Sequence, residues 1–419
     1  MIKAVVGLNW GDEGKGRMVD YFARQADCVI RFQGGDNAGH TVINERGSFA
    51  FHNFPSGICY DNVLNIVAPG SVLNPESFYI EKSKLQAKGL SCENFMLSNR
   101  TVLTFPFHIT LEKLEESRLA DKKYGSTLNG IAPVYGQRYL KKGLQAGEIT
   151  LPDFPEKLAA VVGYVNILLR GYGAPELSLK EMQDWIGEFG PMITPHVTDI
   201  APVIKRMLAE DKEIIVEAQL GALRDINHGI YPYTTSSPTL AGYACASIPV
   251  PARSLTHVMG ITKAYSTCVG EGPFVTELSG DLSDYIREVG KEYGARTGRP
   301  RRIGYFDAVA TGYGCYLQGA TEMTVTCLDV LTGLDELQIC AHYEIDGEAT
   351  DVFPLNSVLE RAKPVYETHR GWQANITGVR RFEDLPAAAR SYIERIEGLC
   401  GIPITYVSVG PEREALIAR

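Results

Sequence analysis

Short apolar runs of strand length alternate along the chain with longer stretches whose apolar positions recur at helical spacing. The strand-length runs are Ala4–Leu8, Cys28–Phe32, Val63–Ala68, Ile214–Glu217, Val325–Leu328, Leu337–His342 and Ile404–Val407. Helical spacing appears in Pro75–Leu90, Pro155–Leu169, Val197–Leu208 and Leu385–Leu399. The alternation predicts an α/β fold with a large, mostly parallel central sheet flanked by helices. Its first run ends in a glycine-rich turn ahead of a helical stretch at Met18–Phe22, so the expected fold is P-loop-NTPase-like. No repeat, low-complexity tract or flexible linker divides the pattern, and residues 1–419 are expected to form one domain. Long excursions break up its middle. Thr110–Gly147 and Tyr231–Arg253 are polar, loop-rich and too long for simple connectors, which is how substrate lids read.

Composition narrows the class. A chain of 419 residues, 45% hydrophobic and 22% charged, has the makeup of a globular protein with a large core. A net charge of −9 argues against nucleic acid as the main partner, so basic clusters such as Arg299-Pro300-Arg301-Arg302 are expected to meet small anions. Nine scattered cysteines without a C-x-x-C pair predict neither a disulfide framework nor structural zinc, and point to a reducing cytoplasm. The first residues enter a strand at once, so no secretory leader is expected. No apolar run approaches membrane-spanning length, and no membrane partner is expected.

The candidate chemistry starts in Val5-Val6-Gly7-Leu8-Asn9-Trp10-Gly11-Asp12-Glu13-Gly14-Lys15-Gly16. Glycines let backbone N–H groups approach a phosphate, the helix N-terminus adds partial positive charge, and Lys15 adds a full one. The loop departs from the usual phosphate-binding pattern, with Asn9 in place of the first glycine and Gly16 in place of the Ser/Thr that holds Mg²⁺. Asp12 and Glu13 lie inside it, where a carboxylate repels phosphate unless it holds a metal or takes a proton. Asp12 could ligate Mg²⁺, accept a proton or cap the helix. His40 closes a second glycine-rich stretch, Gly34-Gly35-Asp36-Asn37-Ala38-Gly39-His40-Thr41, and its pairing with Asn37 and the glycines favours proton donation over a structural role. The arginines of Gly294–Arg302 suit a loop that closes on carboxylates, aspartate among them. Tyr231–Thr239 is dense in hydroxyls and could hold a second phosphate or be an ordinary turn. Ser126-Thr127 and Lys141-Lys142 would add phosphate contacts. Asp329, at a strand end, could read a guanine edge.

These strings closely resemble the signatures of the adenylosuccinate synthetase family, and the resemblance runs nearly the whole chain to Val407-Ser408-Val409-Gly410-Pro411. It implies a GTP- and Mg²⁺-dependent ligase that joins L-aspartate to inosine monophosphate (IMP). It assigns Asp12 as the base for the N1 proton and as a metal ligand with the Gly39 carbonyl. His40 becomes the general acid and Lys15 the group that steadies the transferring phosphoryl. Implied GTP positions are Gly11, Glu13, Gly14, Lys15, Gly16, Gly39, His40, Thr41, Asp329, Ser408 and Gly410. Implied IMP positions are Asp12, Asn37, Thr127, Lys141, Leu220, Thr235 and Val269, with Lys141 reaching the other subunit's site in a homodimer. Thr297, Arg299 and Arg301 are the implied aspartate loop. Several positions depart from the family. Leu220 stands for a glutamine that contacts the 6-oxygen, and its neighbour Gln219 points the other way in a strand. Cys268 stands for an arginine, Lys141 for an arginine, Cys327 for the lysine over the guanine ring, and Arg296 for a threonine. Pro238, Leu240 and Tyr243 also differ. The rewritten wall leaves a second expectation, a paralogue with the same chemistry acting on another acceptor.

Overall fold

The computed structural model describes residues 1–294 and 298–419. Its organising strand is β1 (Ile2–Gly7), whose alternate side chains enter opposite cores. Ile2, Ala4 and Val6 join a cluster with Ile30 and Val216, whereas Val5 packs with Met18, Val19, Ile215, Met259 and Ile261. Both faces are covered, which is why the run is continuously apolar rather than alternating.

Nine more strands complete the sheet: β2 (Cys28–Arg31), β3 (Leu64–Val67), β4 (Phe95–Ser98), β5 (Val197–Thr198), β6 (Ile214–Gly221), β7 (Leu255–Lys263), β8 (Glu322–Thr326), β9 (Ile404–Ser408) and β10 (Leu416–Ala418). They lie in the order β10-β9-β8-β7-β1-β6-β2-β3-β4-β5. All neighbours are parallel except β9 and β10. From β1 the chain steps outward through β2 to β5, returns to β6, crosses to β7 and continues the other way. Connections therefore diverge on either side of β1. Ligands of open α/β sheets bind in the crevice beyond the carboxyl ends of strands at such a point.

The expected α/β class with a large, mostly parallel sheet flanked by helices is what the structure has. Some local readings shift. Leu337–His342 is a strand (Glu336–Ile345), but it belongs to a separate four-stranded sheet with Phe306–Asp307, Glu348–Thr350 and Lys363–Arg370. Val197 leads β5 rather than a helix, because Asp199 accepts from the Ala201 N–H and starts the helix at Ile200–Ala209. Val325–Leu328 is cut short at Thr326, since Cys327 takes a left-handed φ of 62°. Thr110–Gly147 is largely helical, holding most of Pro106–Leu119 and all of Ile131–Tyr139. The Tyr231–Arg253 excursion is mostly turns around a short helix, Gly242–Ser247. β7 was hidden by its polar residues Thr256, His257, Thr262 and Lys263, yet it borders β1. No described helix is long and apolar enough to cross a membrane.

Candidate active site

The loop after β1 spans Leu8–Gly14 and delivers the chain to helix α1 (Lys15–Ala23). Gly14 caps the helix at φ 96°, a left-handed conformation that costs glycine nothing and leaves the first-turn N–H groups facing outward. At Gly16 a side chain has no room, for a Cβ there would lie 2.7 Å from the His40 Cβ. The missing hydroxyl of the usual loop is thus the space that lets the histidine approach the helix.

The two acids of the loop have opposite fates. Glu13 is buried, and its Oε1 accepts from the N–H groups of Gly11 (2.8 Å) and Asn9 (3.2 Å) while Lys15 Nζ donates to Oε2 (2.5 Å). Its carboxylate holds the loop's shape and aims Lys15. Thr326 Oγ1, at the end of β8, donates to the Glu13 carbonyl (2.7 Å) and fastens the loop to the sheet. Asp12, at φ 61°, turns outward with its side chain 34% exposed. Burial would raise its carboxyl, but Arg301, Lys263, Lys15 and His40 together outweigh that and hold it below the usual carboxylate range. Arg301 Nε donates to Asp12 Oδ2 (3.1 Å), and its NH1 donates to Glu292 (2.5 Å). Glu292 is buried and also accepts from Lys263 Nζ (2.7 and 2.8 Å) and the Tyr265 hydroxyl (2.6 Å). Residue 301 of the expected aspartate loop therefore meets the expected base directly. Arg299 donates to the Gly125 carbonyl (3.0 Å), beside Thr127. Thr297 lies outside the described residues.

His40 opens the hairpin His40–Asn44/Gly47–Phe51, which packs on α1. Its ring Nδ1 hydrogen-bonds the carboxylate of Glu217 on β6. Glu217 is wholly buried and also accepts from the Ser56 N–H (2.8 Å) and hydroxyl (2.5 Å), with Arg31 Nε 3.7 Å away. Burial pushes this carboxyl up, but Arg31, His40 and Ser56 overcome it and bring it down to about 2. Burial also lowers His40 and, with the charges of Arg31 and Lys15, outweighs the raising effect of Glu217. A fixed anion at Nδ1 orients the ring and leaves Nε2 as the nitrogen able to meet another partner. Thr41 follows with its side chain on the exposed side of the hairpin, and Asn37 and Gly39 lie half-buried in the loop before it. Among the described residues no group of three or more His, Cys, Asp or Glu side chains forms a metal cage.

On the sheet's other flank lie the residues implied for the acceptor. Leu220 sits in a left-handed conformation (φ 59°) where β6 bulges against β1, and it packs beside Gly11. Gln219 faces away, toward Gly34, with its buried Oε1 unpartnered. The two side chains do address different loops. Thr235 and Val269 are tied together through Arg224, whose carbonyl accepts from the Thr235 N–H (2.9 Å) and whose NH2 donates to the Val269 carbonyl (2.6 Å). Thr127 lies in a loop whose preceding N–H groups, those of Tyr124 and Gly125, donate to Glu116 (3.2 Å each). Lys141 stands exposed at the end of the helix Ile131–Tyr139.

The residues implied for the guanine base meet beyond β8 and β9. Arg17, on the first turn of α1, donates to Ser408 Oγ and to the carbonyls of Glu412 (2.5 Å) and Ala415 (2.9 Å). Ser408 in turn donates to the Gly410 carbonyl (3.1 Å). Asp329 is half-buried, and burial raises its carboxyl despite Arg17. Arg17, Arg31, Ser56, Glu217, Arg224, Lys263 and Glu292 were not singled out as site residues from the sequence. The available signal was an ionisable residue set within or just after an apolar strand, as at Arg31, Glu217 and Lys263, where only a paired charge is tolerated.

Residues 4–417 match the sequence model of the adenylosuccinate synthetase family. A curated adenylosuccinate synthetase of Dehalococcoides mccartyi (strain CBDB1) is 42% identical over 419 residues, 99% of either chain. One from Exiguobacterium sp. is 41% identical over 416 residues, 99% of this chain and 97% of that relative. The solved structure of a fully ligated adenylosuccinate synthetase from Plasmodium falciparum superposes with a TM-score of 0.94 at 30% identity, covering 100% of this chain and 99% of that one. A cyanophage S-2L succinoaminodeoxyadenylate synthetase shares the fold alone, with a TM-score of 0.59 at 16% identity over 100% of this chain and 95% of that one.

Proposed function

Because the chain belongs to the adenylosuccinate synthetase family of purine-biosynthetic ligases, we infer that it joins L-aspartate to IMP at the expense of GTP. The products are adenylosuccinate, GDP and phosphate. The other acceptor that the rewritten wall left open finds no support among the full-length relatives.

The 6-oxygen of hypoxanthine is a poor leaving group, so it is first made a phosphate ester, 6-phosphoryl-IMP, and then expelled by the aspartate amine. Asp12, kept ionised by Arg301, Lys263 and Lys15 at the mouth of the loop, takes the N1 proton of IMP. The 6-oxygen gains anionic character and attacks the γ-phosphate. Lys15, aimed by Glu13, steadies the phosphoryl group in transit. His40, backed by Glu217, donates at the β-phosphate as GDP leaves. Burial, with Arg31 and Lys15, weakens the ring's hold on a proton, and a polyanion arriving beside it strengthens that hold again, so the proton is there to be given up. Gly11, Gly14, Gly16, Gly39 and Thr41 line the phosphate side, and Asp329, Ser408 and Gly410 the base side.

Magnesium fits this arrangement: an ionised, partly exposed carboxylate on Asp12 and the Gly39 carbonyl are hard oxygen donors, and Mg²⁺ prefers a few of these plus phosphate and water. When bound, it supplies positive charge across the transferring phosphate. Thr297, Arg299 and Arg301 take the aspartate carboxylates, with Arg301 moving from Asp12 to substrate. Asn37, Thr127, Leu220, Thr235 and Val269 receive IMP, and Lys141 reaches the partner's site in a homodimer. The nine free cysteines suit a cytoplasmic setting.

The observation that carries this reading is the convergence of Asp12, Lys15, His40 and Arg301 on one phosphate loop. The test uses IMP labelled with heavy oxygen at the 6-position. Label is expected in the released inorganic phosphate; unlabelled phosphate alongside adenylosuccinate formation would rule out the phosphorylated intermediate.

A further inference from the structure

Arg224 follows β6 at the end of a short turn, Ala222–Arg224, and is 7% exposed. Its guanidinium donates to three main-chain carbonyls, those of Tyr233, Val269 (2.6 Å) and Glu271 (3.4 Å), and NH2 lies 3.0 Å from Cys268 Sγ. Every acceptor it reaches is neutral. Arg302 grips the alternate carbonyls of the same loop, Gly270 (3.4 Å) and Gly272 (2.8 Å), but Glu277 cancels its charge through two further bonds. Two arginines thus pin four consecutive carbonyls, and among the described residues only Arg302 has a carboxylate within hydrogen-bonding reach.

A guanidinium stays charged at this depth, and carbonyl dipoles solvate that charge without removing it. A buried cation without a counter-charge is costly unless an anion joins it. The elements that Arg224 binds are those that receive the acceptor nucleotide: Tyr233–Thr235 and Cys268–Glu271. Where the resembled family carries an arginine at position 268, this chain has a thiol, and the guanidinium comes to it from the turn after β6 instead. We propose that Arg224 is a positioning residue for the acceptor, locking the Thr235 and Val269 segments into one wall and furnishing the standing positive charge that favours a nucleotide's 5′-phosphate over the bare nucleoside. The proposal rests on the placement of Thr235 and Val269 in the IMP site.

Calorimetry with IMP and with inosine separates charge from shape. Wild-type protein is expected to bind IMP well above inosine, and Arg224→Met, which loses clamp and charge together, to weaken both ligands but IMP by about tenfold or more beyond inosine. GTP affinity is expected to stay within about twofold, since Arg224's side-chain hydrogen bonds among the described residues go to the Tyr233 and Cys268–Glu271 segments and not to the nucleotide loop. Adding Cys268→Arg to Arg224→Met is expected to recover most of the loss. If Arg224→Met does not fold, Arg224→Lys is read in its place: charge without the clamp should weaken both ligands yet keep the preference for IMP. An unchanged ratio of IMP to inosine affinity in Arg224→Met, or loss of that preference in Arg224→Lys, would overturn the proposal. Wild-type protein that binds IMP in this way but forms no adenylosuccinate would count against the proposed function instead.

Discussion

Replacing Glu217 by glutamine keeps the side chain's size and removes its charge, which isolates what the carboxylate does for His40. In the folded protein this carboxyl is held at about 2 instead of 4.5, by Arg31, His40 and Ser56 against the pull of burial. The difference corresponds to about 3 kcal/mol of stability. Because the folded value is the depressed one, that contribution is full above 4.5 and is lost as pH falls through about 2. Glutamine forfeits it at neutral pH, and denaturant titration should show a loss of that order. The catalytic effect is separate. A hydrogen bond to a charged partner is worth about 1.5–3 kcal/mol, so kcat should fall roughly 10- to 150-fold if His40 must be held and charged in the transition state. Glu217 is also what opposes burial in setting His40. Without it the ring loses its proton more readily, and the alkaline limb of the pH–kcat profile should move to lower pH. Steady-state rates with saturating IMP, GTP and aspartate across pH measure both effects. A variant that is less stable but keeps wild-type kcat and an unshifted profile would refute the orienting role and leave Glu217 as a core ion pair.

Two further outcomes follow from buried acids. Glu292→Gln removes the shared anchor of Arg301 and Lys263 and should raise the KM for aspartate by about tenfold or more while the KM for GTP holds; an unchanged aspartate KM would detach Arg301 from that substrate. Asp307 caps the helix Ala308–Gln318 and accepts from Tyr343 (2.7 Å), but burial raises its carboxyl from 3.8 to about 6. Here the folded value is the higher one, so stability is lost as pH rises from 3.8 through about 6. Asp307→Asn should be more stable at neutral pH by up to about 3 kcal/mol, with the gain fading in acid. Denaturant titrations that show no such pH dependence would contradict this.

Strands β1, β2, β3, β6, β8 and β9, several of the helices and the phosphate loop were legible in the chain because each depends on neighbours within a few residues. Apolar runs declare strands, glycines permit the loop's positive φ, and helix N–H groups make an anion site wherever a helix starts. Asp12, Lys15 and His40 could therefore be picked out in advance. What could not be read locally was the fate of each charge. Glu13 and Asp12 are adjacent acids, yet one is folded inward to shape the loop and the other faces the cleft. β7 was missed because a strand beside the sheet's centre can carry polar residues when those residues build the site at its end, as Lys263 does.

Tertiary structure decided the partnerships. His40 meets Glu217 across 177 residues, and Asp12 meets Arg301 across 289. Cys268, which stands for an arginine of the family, and Arg224 look unrelated in the sequence and are one contact in space. Local pattern fixes where backbone and apolar side chains go, since burial and φ are paid residue by residue. Ionisation and orientation depend on which distant charges share the same dry volume, and only the closed fold brings those together.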